Sequence, residues 1–170
     1  MLPHLTNEPF LLETSVVNVA VSTEKECVSQ IRLNATASRC PETPFEFMVA
    51  QQLGEYIAGD RHDFTIRVLP SGTTFQLQVW RAILEIPFGQ TATYGEVARR
   101  IGKPAAARAV GAAAHANPVP IIIPCHRVVG RNGTLVGFGG GLDLKRRLLA
   151  IEARGLIDLP PEMGYLSAVQ

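Results

Sequence analysis

The chain has few cysteines, with only Cys27, Cys40 and Cys125 in 170 residues. That number is too small, and odd, for a disulfide framework, so a reducing, intracellular setting is expected. No run of about 18 apolar residues occurs, which excludes a membrane-spanning segment. Residues 1–10 have neither a basic start nor an apolar stretch, so no secretory signal is expected. Cys27, Cys40, His4 and His62 include no closely spaced ligand pair, so no metal is expected. Charged residues are only 18% of the chain against 46% hydrophobic, so it can bury a core and is not a disordered polymer. Its length suits one ordinary domain or two small ones sharing an interface.

Charge is unevenly spread. Residues 1–75 carry 5 Lys and Arg against 9 Asp and Glu, a net of −4. Residues 76–170 carry 11 against 6, a net of +5. A basic second half is consistent with an anionic partner, though charge alone favours ordinary surface variation.

The first half reads as α+β. Residues 15–22 (SVVNVAVS) and 27–33 (CVSQIRL) are β-branched and roughly alternating, as are residues 64–69 (FTIRVL), so three strands are predicted. Residues 44–59 fit an amphipathic helix, with Phe45, Met48, Val49, Leu53 and Ile57 near helical spacing. Pro70-Ser71-Gly72 marks a boundary, giving domains over 1–72 and 73–170.

The second half reads as mostly helical. Thr73 with Gln76 and Thr93 with Glu96 are capping-box pairs, each opening a helix. The first helix runs to about residue 85. Gly102-Lys103-Pro104 breaks the second, with Pro104 suited to the first turn of a helix over 105–115. Two short helices joined by a glycine turn form a helix-turn-helix pattern, common in itself. On its second helix Arg108, Gly111, Ala112 and His115 share one face, and Ala106, Val110 and Ala113 another. A face with so little side-chain bulk lets the helix axis approach a partner closely, or pack tightly on a neighbour. Arg108 favours a phosphate or base partner.

Residues 117–129 (NPVPIIIPCHRVV) place Cys125 beside His126 in a proline-stiffened segment. Neighbouring side chains on an extended chain diverge, so a Cys–His relay needs a water or a local helical turn. The helix over 142–154 puts Asp143, Arg146, Arg147 and Arg154 on a polar arc and Leu142, Leu144, Leu148, Leu149 and Ile151 on an apolar one. Lys145 and Glu152 fall inside the apolar arc and must find partners. They can pair with each other, or serve Cys125 and His126: a glutamate that polarises a histidine favours a thiolate.

Three stretches carry a family resemblance: FQLQVWRAILEIPFGQTATYGEVARRIGKPAAARAVG, NPVP followed by IPCHRVV, and GFGGGLDLKRRLLAIE. Together they resemble the O6-alkylguanine-DNA alkyltransferase family over residues 75–153. The resemblance implies a small N-terminal α/β domain of ribonuclease-H-like form, then a mostly helical, winged-helix-like domain with the helix-turn-helix. It implies direct-reversal DNA repair in which Cys125 takes one alkyl group irreversibly from guanine O6, with O4-alkylthymine a candidate second lesion. His126 would act through a water as base, oriented by Glu152. Tyr94 would protonate the leaving guanine, with Lys145 nearby. Arg108 would enter the duplex in place of the extruded base, from a helix docked in the minor groove. Thr93, Ala107, Gly111, Ala112, His115 and Arg127 would be further DNA contacts. Asn117, Pro120, Val128, Phe138 and Gly139 would shape the base pocket, with the carbonyls of Cys125 and Val128 and the amide of Gly139 reading the guanine edge. Phe138 stands where many relatives have tyrosine, making the alkyl rim more apolar. The expected partner is duplex DNA carrying O6-alkylguanine, met by a cytoplasmic monomer that can cluster on DNA, with no cofactor and no membrane. A DNA-binding module without transfer chemistry and a cysteine hydrolase are the competing readings; retention of Cys125 disfavours the first, and lack of a nucleophile-elbow pattern the second.

Overall fold

The computed structural model describes residues 8–37 and 39–157. Three strands form an antiparallel sheet in the order β1-β2-β3: β1 is Phe10–Leu12, β2 Val19–Glu24 and β3 Cys27–Leu33. The β2–β3 hairpin turns on Lys25 and Glu26, both at positive φ (50° and 53°). That mirror-image turn matches the strand twist, and it occurs here without the glycine that usually announces it. Helix α1 (Pro44–Ala58) follows, held by a capping box between Thr43 and Glu46 and stopped at Gly59 with φ 90°.

The strand expected over residues 15–22 begins only at Val19, the one expected over 64–69 is corrected, and one strand was missed. β1 was not predicted; it is three residues long, too short to show a period. Residues 64–69 form no strand but a single parallel bridge, in which Val28 donates to Arg67 O and Leu69 donates to Val28 O. The parallel register sets the residues before Val68 opposite the Lys25–Glu26 turn, where there is no strand to pair with, and farther along β3 Ile31 N donates to Pro118 O at 2.8 Å. That bond ties the sheet directly to the segment carrying Cys125.

Helix α2 (Thr74–Leu84) begins at the Thr73/Gln76 box. The short strand β4 (Ala92–Thr93) leads into α3 (Tyr94–Arg100) through the Thr93/Glu96 box. Helix α4 (Ala107–His115) starts later than expected, because residues 103–106 close a turn with Ala106 N donating to Lys103 O and no side chain caps the helix. Pro104 therefore lies before the helix. Val110, Ala113 and Ala114 bury their face against α2 and α3, leaving Arg108, Ala112 and His115 exposed. Trp80, 2% exposed, locks α2 to α4 by donating from Nε1 to Ala113 O at 2.8 Å.

A 3₁₀ turn (Cys125–Arg127) runs into β5 (Val128–Val129), which pairs in parallel with β4. A second 3₁₀ turn (Arg131–Gly133) and a glycine-rich loop lead to α5 (Leu142–Ile157). In α5, Leu144, Leu148 and Ile151 are buried as expected, whereas Leu142, at the open end of the helix, is 42% exposed. The architecture is mixed α/β, and one continuous apolar core runs from Phe10 in the sheet to Ile151 in α5.

Candidate active site

The β4–β5 pairing sets Ala92 opposite Val128 and Thr93 opposite Val129. Two residues of pairing thus bring Tyr94, at the start of α3, to the segment that follows Cys125. A cavity of about 540 Å³ opens there. Cys125 and Tyr94 line it, Ala107, Arg108, Gly111 and His115 of α4 form one wall, and Val136 and Phe138 form the opposite rim. Thr93 also lines it.

Asn117 organises the cysteine. Its Nδ2 donates to Ile123 O at 2.8 Å and to Cys125 Sγ at 3.2 Å, while its Oδ1 accepts from Val119 N at 3.0 Å. Ile121 sits between them at φ 75°, a left-handed conformation that a β-branched residue adopts only when its surroundings enforce it. Burial pushes the Cys125 thiol up, opposed by the Asn117 bond and by the Lys145 charge.

The 3₁₀ turn sends His126 away from the cavity, where it is fully buried. Its Nε2 lies 2.8 Å from Glu152 Oε1 and 3.0 Å from the Tyr56 hydroxyl. Its Nδ1 is buried with no partner among the described residues. The network assigns the ring proton to Nε2, donated to the carboxylate, and leaves the Nδ1 lone pair available. Burial lowers the imidazole below its ordinary value, opposed by Glu152.

Glu152 gathers donors from four places: Tyr56 Oη at 2.6 Å, His126, Gly89 N at 2.9 Å and Arg127 Nε at 3.0 Å. Burial works against its ionisation, but the His126 and Arg127 bonds outweigh it and hold the carboxyl at about 2. Lys145 does not pair with Glu152. Its Nζ donates to Val128 O at 2.6 Å, Val136 O at 3.0 Å and Gly137 O at 3.4 Å, clamping β5 to the loop before α5. Burial lowers its pKa, opposed by Cys125. Tyr94 donates to the same Val136 carbonyl at 2.9 Å, and the Lys145 ammonium lies 6.0 Å from its ring centroid.

The remaining expected residues take other places. Ala112 is exposed on the outer face of α4, and Gly139 is exposed in the loop before α5. Pro120 and Val128 are buried and do not line the cavity, and the Val128 carbonyl accepts from Lys145 Nζ. Arg127 is a correction. It is 7% exposed, bonds Glu152 and donates to Ile86 O at 2.5 Å, so it has no free donor edge to offer DNA. His4, weighed as a metal ligand, lies outside the described residues.

Sequence reasoning missed Tyr56, Gly89, Arg99 and Arg131. The last two line the cavity beside Arg108. Tyr56 reads in sequence only as one more apolar position on the α1 stripe, since its partners lie 70 and 96 residues away.

Comparison with known proteins adds independent findings. The family model described as "6-O-methylguanine DNA methyltransferase, DNA binding domain" matches residues 74–154. A methylated-DNA–protein-cysteine methyltransferase of Methanosarcina acetivorans is 52% identical over 103 residues, 61% of this chain and 66% of that protein. One of Mycolicibacterium paratuberculosis is 53% identical over 114 residues, 66% of this chain and 69% of that protein. The match therefore spans about two thirds of the length of these curated relatives. Among solved structures, Mycobacterium tuberculosis OGT in complex with DNA superposes with a TM-score of 0.79 at 38% identity, covering 85% of this chain and 92% of that one.

Proposed function

Because the chain belongs to the methylated-DNA–protein-cysteine methyltransferase family, we propose that it repairs duplex DNA by moving an alkyl group from guanine O6 to Cys125 Sγ, once per molecule. The observation that carries this reading is the position of Cys125 at a cavity whose walls are Tyr94 and the exposed helix α4.

In the proposed step, His126 Nδ1 takes the thiol proton through a water, and the nearby Glu152 carboxylate stabilises the imidazolium. The Cys125 thiolate attacks the alkyl carbon, the carbon–sulfur bond forms, and the carbon–O6 bond breaks with its electron pair going to the purine. Tyr94 donates a proton to guanine N3, and the Lys145 ammonium supports the resulting phenolate. To do so the Tyr94 hydroxyl exchanges its Val136 carbonyl for the base. The thioether has no internal route back to a thiol, so the protein is consumed.

Guanine O6 is out of reach in a stacked duplex, so the nucleotide must be extruded. Helix α4 suits the minor groove, since Gly111 and Ala112 add little bulk and Arg108 projects to fill the vacated stack. Arg99 and Arg131 on the cavity rim supply phosphate contacts, which makes binding salt-sensitive. Residues 1–72 are read as a ribonuclease-H-like unit, supported by the antiparallel sheet backed by α1. Residues 73–170 are read as winged-helix-like, supported by α2–α4 with the β4–β5 pair and the Arg131–Gly133 loop. The protein is read as a cytoplasmic monomer.

Excess O6-methylguanine duplex tests the reading. One methyl group per protein on Cys125, seen by intact mass and peptide mapping, is expected, with none on Cys125→Ser. Repeated turnover, or a methyl group on Cys27 or Cys40, would overturn it.

A further inference from the structure

We propose that Tyr56 of α1 is a positioning residue for alkyl transfer, its phenol holding the Glu152–His126 pair in register so that the first half of the chain takes part in the chemistry of the second. The proposal rests on the transfer reading above and adds to it a residue outside the matched region, which begins at residue 74.

The geometry is specific. Tyr56 is 0% exposed, and its hydroxyl lies 2.6 Å from Glu152 Oε1 and 3.0 Å from His126 Nε2. His126 Nε2 is itself 2.8 Å from that same Oε1, so the three atoms form a closed triangle. With the ring proton on Nε2 and the phenolic proton pointing to the carboxylate, both donors converge on one oxygen. Such an arrangement fixes the imidazole from the side opposite the free Nδ1. The phenol also takes part of the carboxylate charge that would otherwise act more strongly on the ring.

The ring of Tyr56 is separately braced. It meets Phe88 edge-on at 6.2 Å and Phe64 at 5.3 Å, and Phe88 continues into Gly89, whose amide bonds Glu152 Oε2. Packing and hydrogen bonding can therefore be perturbed independently. The charged and titratable groups acting on the pair are Arg127 from the 3₁₀ turn, Lys145 from the same helix as Glu152, and Tyr56 itself. None of the others reaches the pair from the first half of the chain.

Removing the phenol leaves Glu152 with Arg127, Gly89 and His126. The carboxylate then acts more fully on the imidazole and makes it more basic. A base protonated at higher pH is disabled at higher pH, so the acid limb of the transfer rate moves upward. The neutral-pH rate falls about 3- to 10-fold, the range expected for one lost hydrogen bond in a buried network.

The experiment is single-turnover methyl transfer from O6-methylguanine duplex between pH 5 and 9. It compares the unsubstituted protein with Tyr56→Phe and with Phe64→Leu, which loosens the ring and keeps the hydroxyl. Tyr56→Phe is expected to shift the acid limb upward, and Phe64→Leu to lower the melting temperature while leaving the limb in place. A Tyr56→Phe profile superimposable on wild type, or an equal shift in Phe64→Leu, would overturn the inference. Should Tyr56→Phe not fold, the wild-type protein still decides. A slowly exchanging Tyr56 hydroxyl proton with a cross-peak to the His126 ring is expected by NMR, and its absence counts against the proposal. If wild type transfers nothing to Cys125, it is the transfer reading that fails.

Discussion

The Asn117 amide sits 3.2 Å from the Cys125 sulfur while also bonding the backbone of Ile123 and Val119. One side chain thus shapes the turn and donates to the nucleophile. It is the largest influence opposing the burial that raises the thiol. Asn117→Ala is expected to raise the Cys125 pKa further and slow transfer at pH 7 about tenfold, with the loss shrinking as pH rises. Transfer rates against pH with free O6-benzylguanine check this, and a loss independent of pH would mean that Asn117 acts on the turn alone.

Arg108 lies exposed on α4 beside the cavity mouth. If it fills the gap left by an extruded nucleotide, Arg108→Ala slows repair of duplex DNA about 10- to 100-fold, because unstacking then goes uncompensated. Reaction with free O6-benzylguanine needs no extrusion and is expected to stay within about twofold of wild type. Equal losses on both substrates would remove Arg108 from the extrusion step.

Legibility followed the range of the interaction. The Thr73/Gln76 and Thr93/Glu96 caps join residues three apart, so they could be read directly and place both helices. The buried Lys145 and Glu152 stood out because charge inside an apolar arc demands partners, yet which partners was open: three carbonyls for one, and a four-donor cluster for the other. Arg127 looked like a DNA contact because a cation beside a cysteine motif carries no sign of the carboxylate 25 residues away that buries it. Tyr56 was silent for the same reason. The strand expected at residues 64–69 pairs only at Val68, since the parallel register sets the residues before it opposite the Lys25–Glu26 turn, a tertiary placement its alternating pattern does not carry.

Acid is expected to unfold the protein through two carboxylates and one imidazole. Glu46 and Glu152 are both held at about 2, Glu46 mainly by its Arg39 ion pair at 2.7 Å and Glu152 by His126 and Arg127 against burial. A lowered carboxyl pKa stabilises the fold above its unfolded value and is lost as pH falls from about 4.5 towards 2, by roughly 3 kcal/mol per group at most. His126 acts in the same direction, because an imidazole lowered by burial takes up its proton more readily when unfolded, so stability starts to fall below about pH 6.5. Melting temperature should therefore decline below pH 6.5 and steeply below 4.5. Glu46→Gln should flatten the steep part while lowering stability at pH 7; an unchanged slope would show that the Glu46 ion pair is not the source.

Transfer itself should weaken the fold. Cys125 is 7% exposed, with the Asn117 amide against its sulfur and the Val128 backbone amide bonding its carbonyl. The methyl group enters the cavity that Cys125 lines, but it ends the ability of the sulfur to act as a thiolate acceptor for Asn117. Losing that bond in a buried turn costs about 1–3 kcal/mol. For a protein of this length that corresponds to a melting temperature lower by roughly 3–10 °C. The benzyl adduct should cost more than the methyl adduct unless the Phe138 rim accepts the ring, in which case the two should melt within about a degree of each other. Calorimetry on the unmodified, methylated and benzylated proteins makes the comparison. A melting temperature unchanged or raised by methylation would mean that the Asn117 bond and the strained turn at Ile121 are indifferent to what the sulfur carries.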